Sequence, residues 1–142
     1  MNYWLIKQEP EEFSWADLER EGKVVWDGVR NYQARNNLKA MELDDFALFY
    51  HSVTGKQVMG IAQVSQTAFP DPTSPEDDRW VSVIFKPYKA LNKPVELQRI
   101  KSTETLSKIA LIKQSRLSVM PLTQEEFEII VEMGNEDKDE LR

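Results

Sequence analysis

Four short stretches concentrate side chains able to recognise a ligand: Lys7-Gln8-Glu9-Pro10, the run Trp26-Asp27-Gly28-Val29-Arg30-Asn31-Tyr32-Gln33-Ala34-Arg35-Asn36, Phe49-Tyr50-His51-Ser52, and Ser115-Arg116-Leu117-Ser118-Val119. Aromatic rings, amides, hydroxyls and cations stand here in segments otherwise suited to a core. The chain has no glycine-rich phosphate loop, serine nucleophile elbow or paired-histidine motif. It has no cysteine and a single histidine, which excludes disulfides, thiolate zinc sites and histidine-rich metal centres. Neither a metal nor a cofactor is expected, and the familiar catalytic constellations are missing.

The elements that must hold these stretches follow from local pattern. Residues 2–6 (NYWLI) read as an opening strand broken by Pro10. Ser14 followed by Asp17 reads as an N-cap for a helix over 15–20, stopped by Gly22. Residues 24–26 form a brief strand, Asp27-Gly28 a turn, and Asn31 caps a helix reaching about Met41. Residues 46–51 and 57–65 read as a hairpin across Thr54-Gly55. After a proline-rich, acidic loop over 69–79, residues 80–85 alternate as a third central strand. Pro94 permits a short edge strand to Leu97, and residues 97–112 form one broken helix or two short ones. Thr123 with Glu126 is a capping box for a last helix carrying Phe127, Ile130 and Met133, with Gly134 as its stop.

With 142 residues and no internal repeat, one domain over 1–134 and a charged tail over 135–142 are expected. Short strands interrupted by short helices without regular alternation indicate an α+β fold. Its mixed or antiparallel sheet would curl into a barrel. No stretch approaches the ~20 apolar residues of a membrane span, and the opening MNYWLIKQEP reads as no secretory leader. A cytoplasmic location is expected, nucleoid-associated if the source is bacterial, with a monomer as the default state.

A net charge of −6 argues against nucleic acid, because phosphate contacts need Lys and Arg. The distribution softens that objection: residues 86–116 hold eight basic residues against Glu96 and Glu104. Acid gathers at Glu9, Glu11 and Glu12, in Glu76-Asp77-Asp78, and at the C-terminus. One basic face and a solvated face of mixed charge both remain open.

The four stretches, in this order, resemble the signatures of the EVE family, and the likeness covers nearly the whole chain. The eleven-residue WDGVRNYQARN run is far more specific than an isolated motif. Departures are Gln8, where a small Ser is common, and Leu43-Asp44, where a Gly before the acid is more usual. The resemblance implies a PUA-like mixed β-barrel with short flanking helices, related to the YTH domain, whose relatives flip a modified base into an aromatic cage. Residue types agree with that chemistry: rings stack on bases for about 1–3 kcal/mol each, and edge hydrogen bonds tell bases apart.

On this reading Trp26 is the first candidate for the stacking wall, although a Trp ending an apolar strand also suits a core. Tyr50 closes the cage, bonds a base edge, or is a buried ring. Asn31 reads an edge, caps its helix, or does both. His51, Ser52 and Ser115 contact base or sugar, or merely serve local structure. Val29, with the Gly28 backbone beside it, borders a close approach to the ligand. Lys7, Arg30, Arg35 and Arg116 meet phosphates or stack, while Arg30 and Arg35 are also placed to pair with Asp27 and the acids nearby.

Three function classes follow. The leading one is a non-catalytic reader of a modified base in DNA or RNA, with modified cytosine favoured by the resemblance. The second is a hydrolase of modified nucleosides, as in PUA-like relatives of the ASCH group, with Lys7 and Glu9 as its working pair. The third is a protein-interaction module.

Overall fold

The computed structural model describes residues 1–135, so residues 136–142, most of the expected tail, lie outside the described part. In chain order the elements are β1 (Tyr3–Gln8), α1 (Trp15–Glu21), β2 (Val24–Trp26), α2 (Tyr32–Ala40), β3 (Phe46–His51), β4 (Gln57–Pro70) and β5 (Val81–Glu96). Then follow α3 (Leu97–Lys101), a 3-10 turn (Glu104–Leu106), α4 (Ala110–Lys113), β6 (Val119–Leu122) and α5 (Gln124–Asn135).

Local chemistry starts three of the helices as the sequence predicts. Ser14 Oγ accepts from Asp17 N while the Asp17 carboxylate accepts from Ser14 N, and Gly22 ends α1 at φ +82°. Asn31 Oδ1 accepts from Ala34 N at 2.8 Å to cap α2. Thr123 and Glu126 exchange hydrogen bonds before α5. Gly134, expected as a stop, is instead buried within α5. A Cβ there would come 2.6 Å from Leu91 Cδ1, so the glycine lets α5 close on β5.

The six strands form one sheet in the order β2-β5-β4-β3-β1-β6, with β1 parallel to β3 and the other pairs antiparallel. The fold is thus α+β with a mixed sheet. A closed barrel is too strong a description: β2 and β6 are the two edges and do not pair with each other. Helix α2 packs against β6, β5 and β4. Asn37 Nδ2 donates to Val119 O at 2.7 Å, which ties the helix to the β6 edge.

The two strands expected around Val83 and Pro94 are one, β5. It carries Pro87 and Pro94 because β2 covers only Val83–Phe85, leaving one side of the later strand free of ladder bonds. Short β6, with Pro121 inside it, was not expected as a strand and sits at an edge, where proline is tolerated.

In the core, Trp15 and Trp26 pack edge-on against Phe49, with ring centroids 5.6 and 5.8 Å apart. Gly60 makes room for Trp15, whose indole lies 2.5 Å from where a Cβ would stand. No helix among the described residues is long and apolar enough to cross a membrane.

Candidate functional site

The parallel register of β1 and β3 sets Lys7 beside Tyr50 and Gln8 beside His51 at the same end of the sheet. On the other flank, Lys7 N donates to Ser118 O at 2.9 Å, bringing in the segment before β6. Lys7 Nζ donates to Ser115 O at 2.7 Å. That uses one of three ammonium hydrogens, and burial pushes the Lys7 pKa down.

Two cavities border this lysine, and a third shares Ser115 with one of them. One of about 220 Å³ is bordered by Trp26, Gly28, Val29, Arg30 and Ser118 as well as Lys7. A second of about 410 Å³ includes Lys7, Tyr50, Ser52, Val53, Leu111 and Ser115. A third of about 300 Å³ is lined by Asn31, Gln33, Ser115 and Arg116. Lys7 belongs to the first two and Ser115 to the last two. A space of about 460 Å³ at the other end of β1 is lined by Met1, Tyr3, Trp4 and Pro121 and has no charged side chain, so the chemistry gathers at the Lys7 end.

The loop over 27–31 owes its shape to a residue far away in sequence. Asp71, fully buried, accepts from Gly28 N at 2.9 Å, Arg30 Nη1 at 2.9 Å, and Thr73 N and Oγ1 at 2.8 and 2.7 Å. Burial resists ionisation, but the Arg30 guanidinium and the bonds from Thr73 and Gly28 hold the Asp71 pKa down at about 2. Arg30 also reaches Thr73 Oγ1 and Ser74 Oγ, and its guanidinium lies 5.3 Å from the Trp80 ring centroid. Arg30, expected to pair with Asp27 or an acid nearby, thus pairs with Asp71 instead.

Nine of the eleven candidate residues border these cavities. Trp26 is 5 % exposed, edge-on to Phe49 and Phe85, and reaches only the smallest cavity. Tyr50 lines the larger cavity that shares Lys7 with it. Burial pushes the Tyr50 pKa up to about 12. Its hydroxyl, like Asn31 Nδ2 and the hydroxyls of Ser52 and Ser115, has no hydrogen-bond partner among the described residues.

The other two lie elsewhere. His51 is buried, and its Nε2 accepts from Trp15 N at 3.0 Å, which places the ring proton on Nδ1. Burial lowers its pKa, with Glu11 pulling the other way. Arg35 joins a surface group outside the cavities: it lies 4.9 Å from the Tyr32 ring centroid and donates to Arg79 O. Tyr32 in turn stacks on Trp80. Glu9, the suggested partner of Lys7 in hydrolysis, is exposed and lines none of the three cavities.

The EVE domain matches residues 2–133. The chain belongs to the EVE-domain family. Mouse thymocyte nuclear protein 1 is 37 % identical over 165 residues, covering 93 % of this chain and 73 % of the mouse protein. Among solved EVE-like structures, a protein from Agrobacterium tumefaciens superposes with a TM-score of 0.92 at 41 % identity, covering 94 % of this chain and 93 % of that one. The human THYN1 protein, crystallised in complex with 5-methylcytosine-containing DNA, superposes with a TM-score of 0.90 at 31 % identity, covering 96 % and 99 %. A Zygosaccharomyces rouxii YTH domain shares the fold, with a TM-score of 0.57 at 14 % identity. The EVE signature stretches contain most of the cavity walls. They do not contain Asp71, Val53, Lys56, Leu97 or Leu111, which a loop or a short helix supplies from outside any motif.

Proposed function

We propose that this chain binds nucleic acid carrying a C5-methylated cytosine, and DNA before RNA, and holds that base, turned out of its strand, in the cavity walled by Trp26. The observation that carries this reading is the convergence of unpartnered polar groups on connected hollows: the Tyr50 and Ser115 hydroxyls, Asn31 Nδ2 and two spare hydrogens of Lys7 Nζ. Asn31 and Ser115 are exposed and Lys7 is half-buried, so a ligand entering the hollows finds these groups free to bond it. At about 220 Å³, the Trp26 hollow falls below the roughly 300–1,000 Å³ of pockets for drug-sized ligands, which suits one base. The family tie to human THYN1, crystallised with 5-methylcytosine-containing DNA, supports the choice of ligand.

Each role follows from ligand chemistry. A cytosine edge offers O2 and N3 as acceptors and N4 as a donor, and Lys7 Nζ supplies donors to the first two. Val25 and Val29 give the 5-methyl group an apolar contact. The base face lies against the Trp26 indole. Arg116, exposed on the third cavity, takes a flanking phosphate.

Calorimetric titration with DNA and RNA oligonucleotides, with and without one 5-methylcytosine, at two salt concentrations tests this. Tighter binding of the methylated DNA, with affinity falling as salt rises, is the expected result. Equal affinity for methylated and unmethylated strands would overturn it.

A further inference from the structure

A base turned out of a duplex leaves a hole in the stack, and proteins that disturb base steps often insert an apolar side chain there. One residue beside the cavities has the attributes of such a plug. Val53 lies in the turn between β3 and β4, lines the Tyr50 cavity, and leaves 64 % of its surface exposed. It is one of few large apolar residues in the described chain that stay in water.

Its backbone deepens the anomaly. Val53 sits at φ +68°, and Thr54 N donates to Ser52 O at 2.7 Å, closing a three-residue turn around it. A β-branched residue is strained in that region, where glycine is not. The same turn uses glycine at residue 55, φ +87°, where only conformation matters. Outside contacts hold the strain in place: Ser52 N donates to Gln8 O at 2.9 Å, and Thr54 Oγ1 donates to Glu11 Oε2 at 2.8 Å. A side chain that costs backbone strain and packs little of itself against the protein contributes nothing evident to folding, and local strain of this kind gathers at functional sites. Lys7 and Lys56 border the same cavity as the valine, so a strand resting there meets two cations beside it.

We propose that Val53 is the wedge that enters the base stack at the position vacated by the extruded base, making this turn the part of the protein that reads duplex rather than base. This rests on the base-capture reading above. It assigns the partner of that site as double-stranded DNA with one base extruded, since a single strand has no stack to repair.

The test compares Val53→Gly and Val53→Leu with the wild type, using a duplex and a single strand that carry the same 5-methylcytosine. A 2-aminopurine next to the modified base in the same strand, paired with thymine, reports unstacking. Val53→Gly is expected to melt higher than the wild type, since its strain is relieved. Its duplex-to-single-strand affinity ratio should fall about tenfold, as a lost unstacking contact of one step implies, with 2-aminopurine fluorescence falling in parallel. Val53→Leu should keep the wild-type ratio. If Val53→Gly keeps the ratio while the wild type still prefers the methylated strand, the wedge is wrong and base capture stands. If the wild type prefers neither methylated strand, base capture itself fails and the wedge with it.

Discussion

Residues 27–31 and residues 52–56 both border the cavities and both contain left-handed backbone: Gly28 at φ +75° in the first, and Val53 at +68°, Gly55 at +87° and Lys56 at +43° in the second. At Gly28 the conformation costs little, and a Cβ would meet nothing within 4 Å. The shape there is fixed from outside, by the buried Asp71 that accepts from both Gly28 N and Arg30. At Val53 the conformation is strained and the side chain is presented to solvent. One segment is a rigid wall that needs its backbone; the other holds a side chain out at the expense of its backbone. A wall suits stacking and edge contacts on a captured base, whereas an exposed apolar tip suits contact with whatever surrounds that base.

The largest effect expected on this contrast is at the edge of the wall. Trp26→Ala removes a ring packed on Phe49 and Phe85, and should destabilise the fold by about 3–5 kcal/mol while abolishing oligonucleotide binding. Because both losses occur together, Trp26→Phe is the sharper probe. It should fold with a smaller deficit and weaken binding of the methylated strand, and unchanged affinity in that variant would remove Trp26 from the site.

Next comes the brace. Asp71→Asn leaves Arg30 without its carboxylate and should cost about 3 kcal/mol by urea denaturation, the low end for breaking a buried pair because Arg30 is partly exposed. The folded pKa of Asp71 lies below its ordinary 3.8, at about 2. Its contribution of about 2 kcal/mol is therefore complete above pH 3.8 and disappears as pH falls through 2. An Asp71→Asn protein as stable as the wild type at pH 7 would show that the 27–31 wall stands without its brace.

How far these segments could be read from sequence differs for the same physical reason. Caps are local: Ser14 with Asp17, Asn31 with Ala34 and Thr123 with Glu126 act over three residues, so their pattern sufficed. The hairpin of β3 and β4 was likewise legible from alternation and a glycine turn. The WDGVRNYQARN run pointed to the wall but not to what holds it. Asp71 is 43 residues from Gly28, in a loop whose prolines and acids predicted only irregularity. His51 became a candidate contact by its neighbours, yet its partner is the start of α1, 36 residues away. Gly134 had the position of a helix stop, and only the approach of Leu91 reveals its use. The strain at Val53 has no sequence signature, since nothing in Ser52-Val53-Thr54 announces a left-handed valine. Short-range hydrogen bonding is written in composition and spacing; tertiary partners are chosen by the fold.

Changing Gly28 and Val53 tests the contrast directly. Gly28→Ala should destabilise by about 1 kcal/mol, the conformational cost of a Cβ at positive φ with no clash added. Val53→Gly should move stability in the opposite direction by a similar or smaller amount. Urea midpoints measured side by side decide it, and two shifts of the same sign would mean that the turns are built alike.

The smallest effect concerns the end of β3, where the valine turn begins. His51 accepts from Trp15 N through Nε2, so the ring must be neutral there, and burial lowers its pKa below the ordinary 6.5. A depressed folded pKa places this contribution above pH 6.5 and removes it as pH falls through the lower folded value, because the unfolded chain takes up the proton first. The wild-type urea midpoint should therefore drop between pH 7 and pH 5, a window above the ordinary range of most carboxylates. His51→Gln supplies an acceptor for the same N–H but does not titrate, so its midpoint should change less over that window. Glu11, joined to Thr54 in the turn, opposes the histidine shift, and Glu11→Gln should steepen the wild-type slope. If wild type and His51→Gln lose stability in parallel, His51 is not held neutral by α1, and the anchoring of the valine turn through this strand end would have to be assigned to the Glu11–Thr54 bond alone.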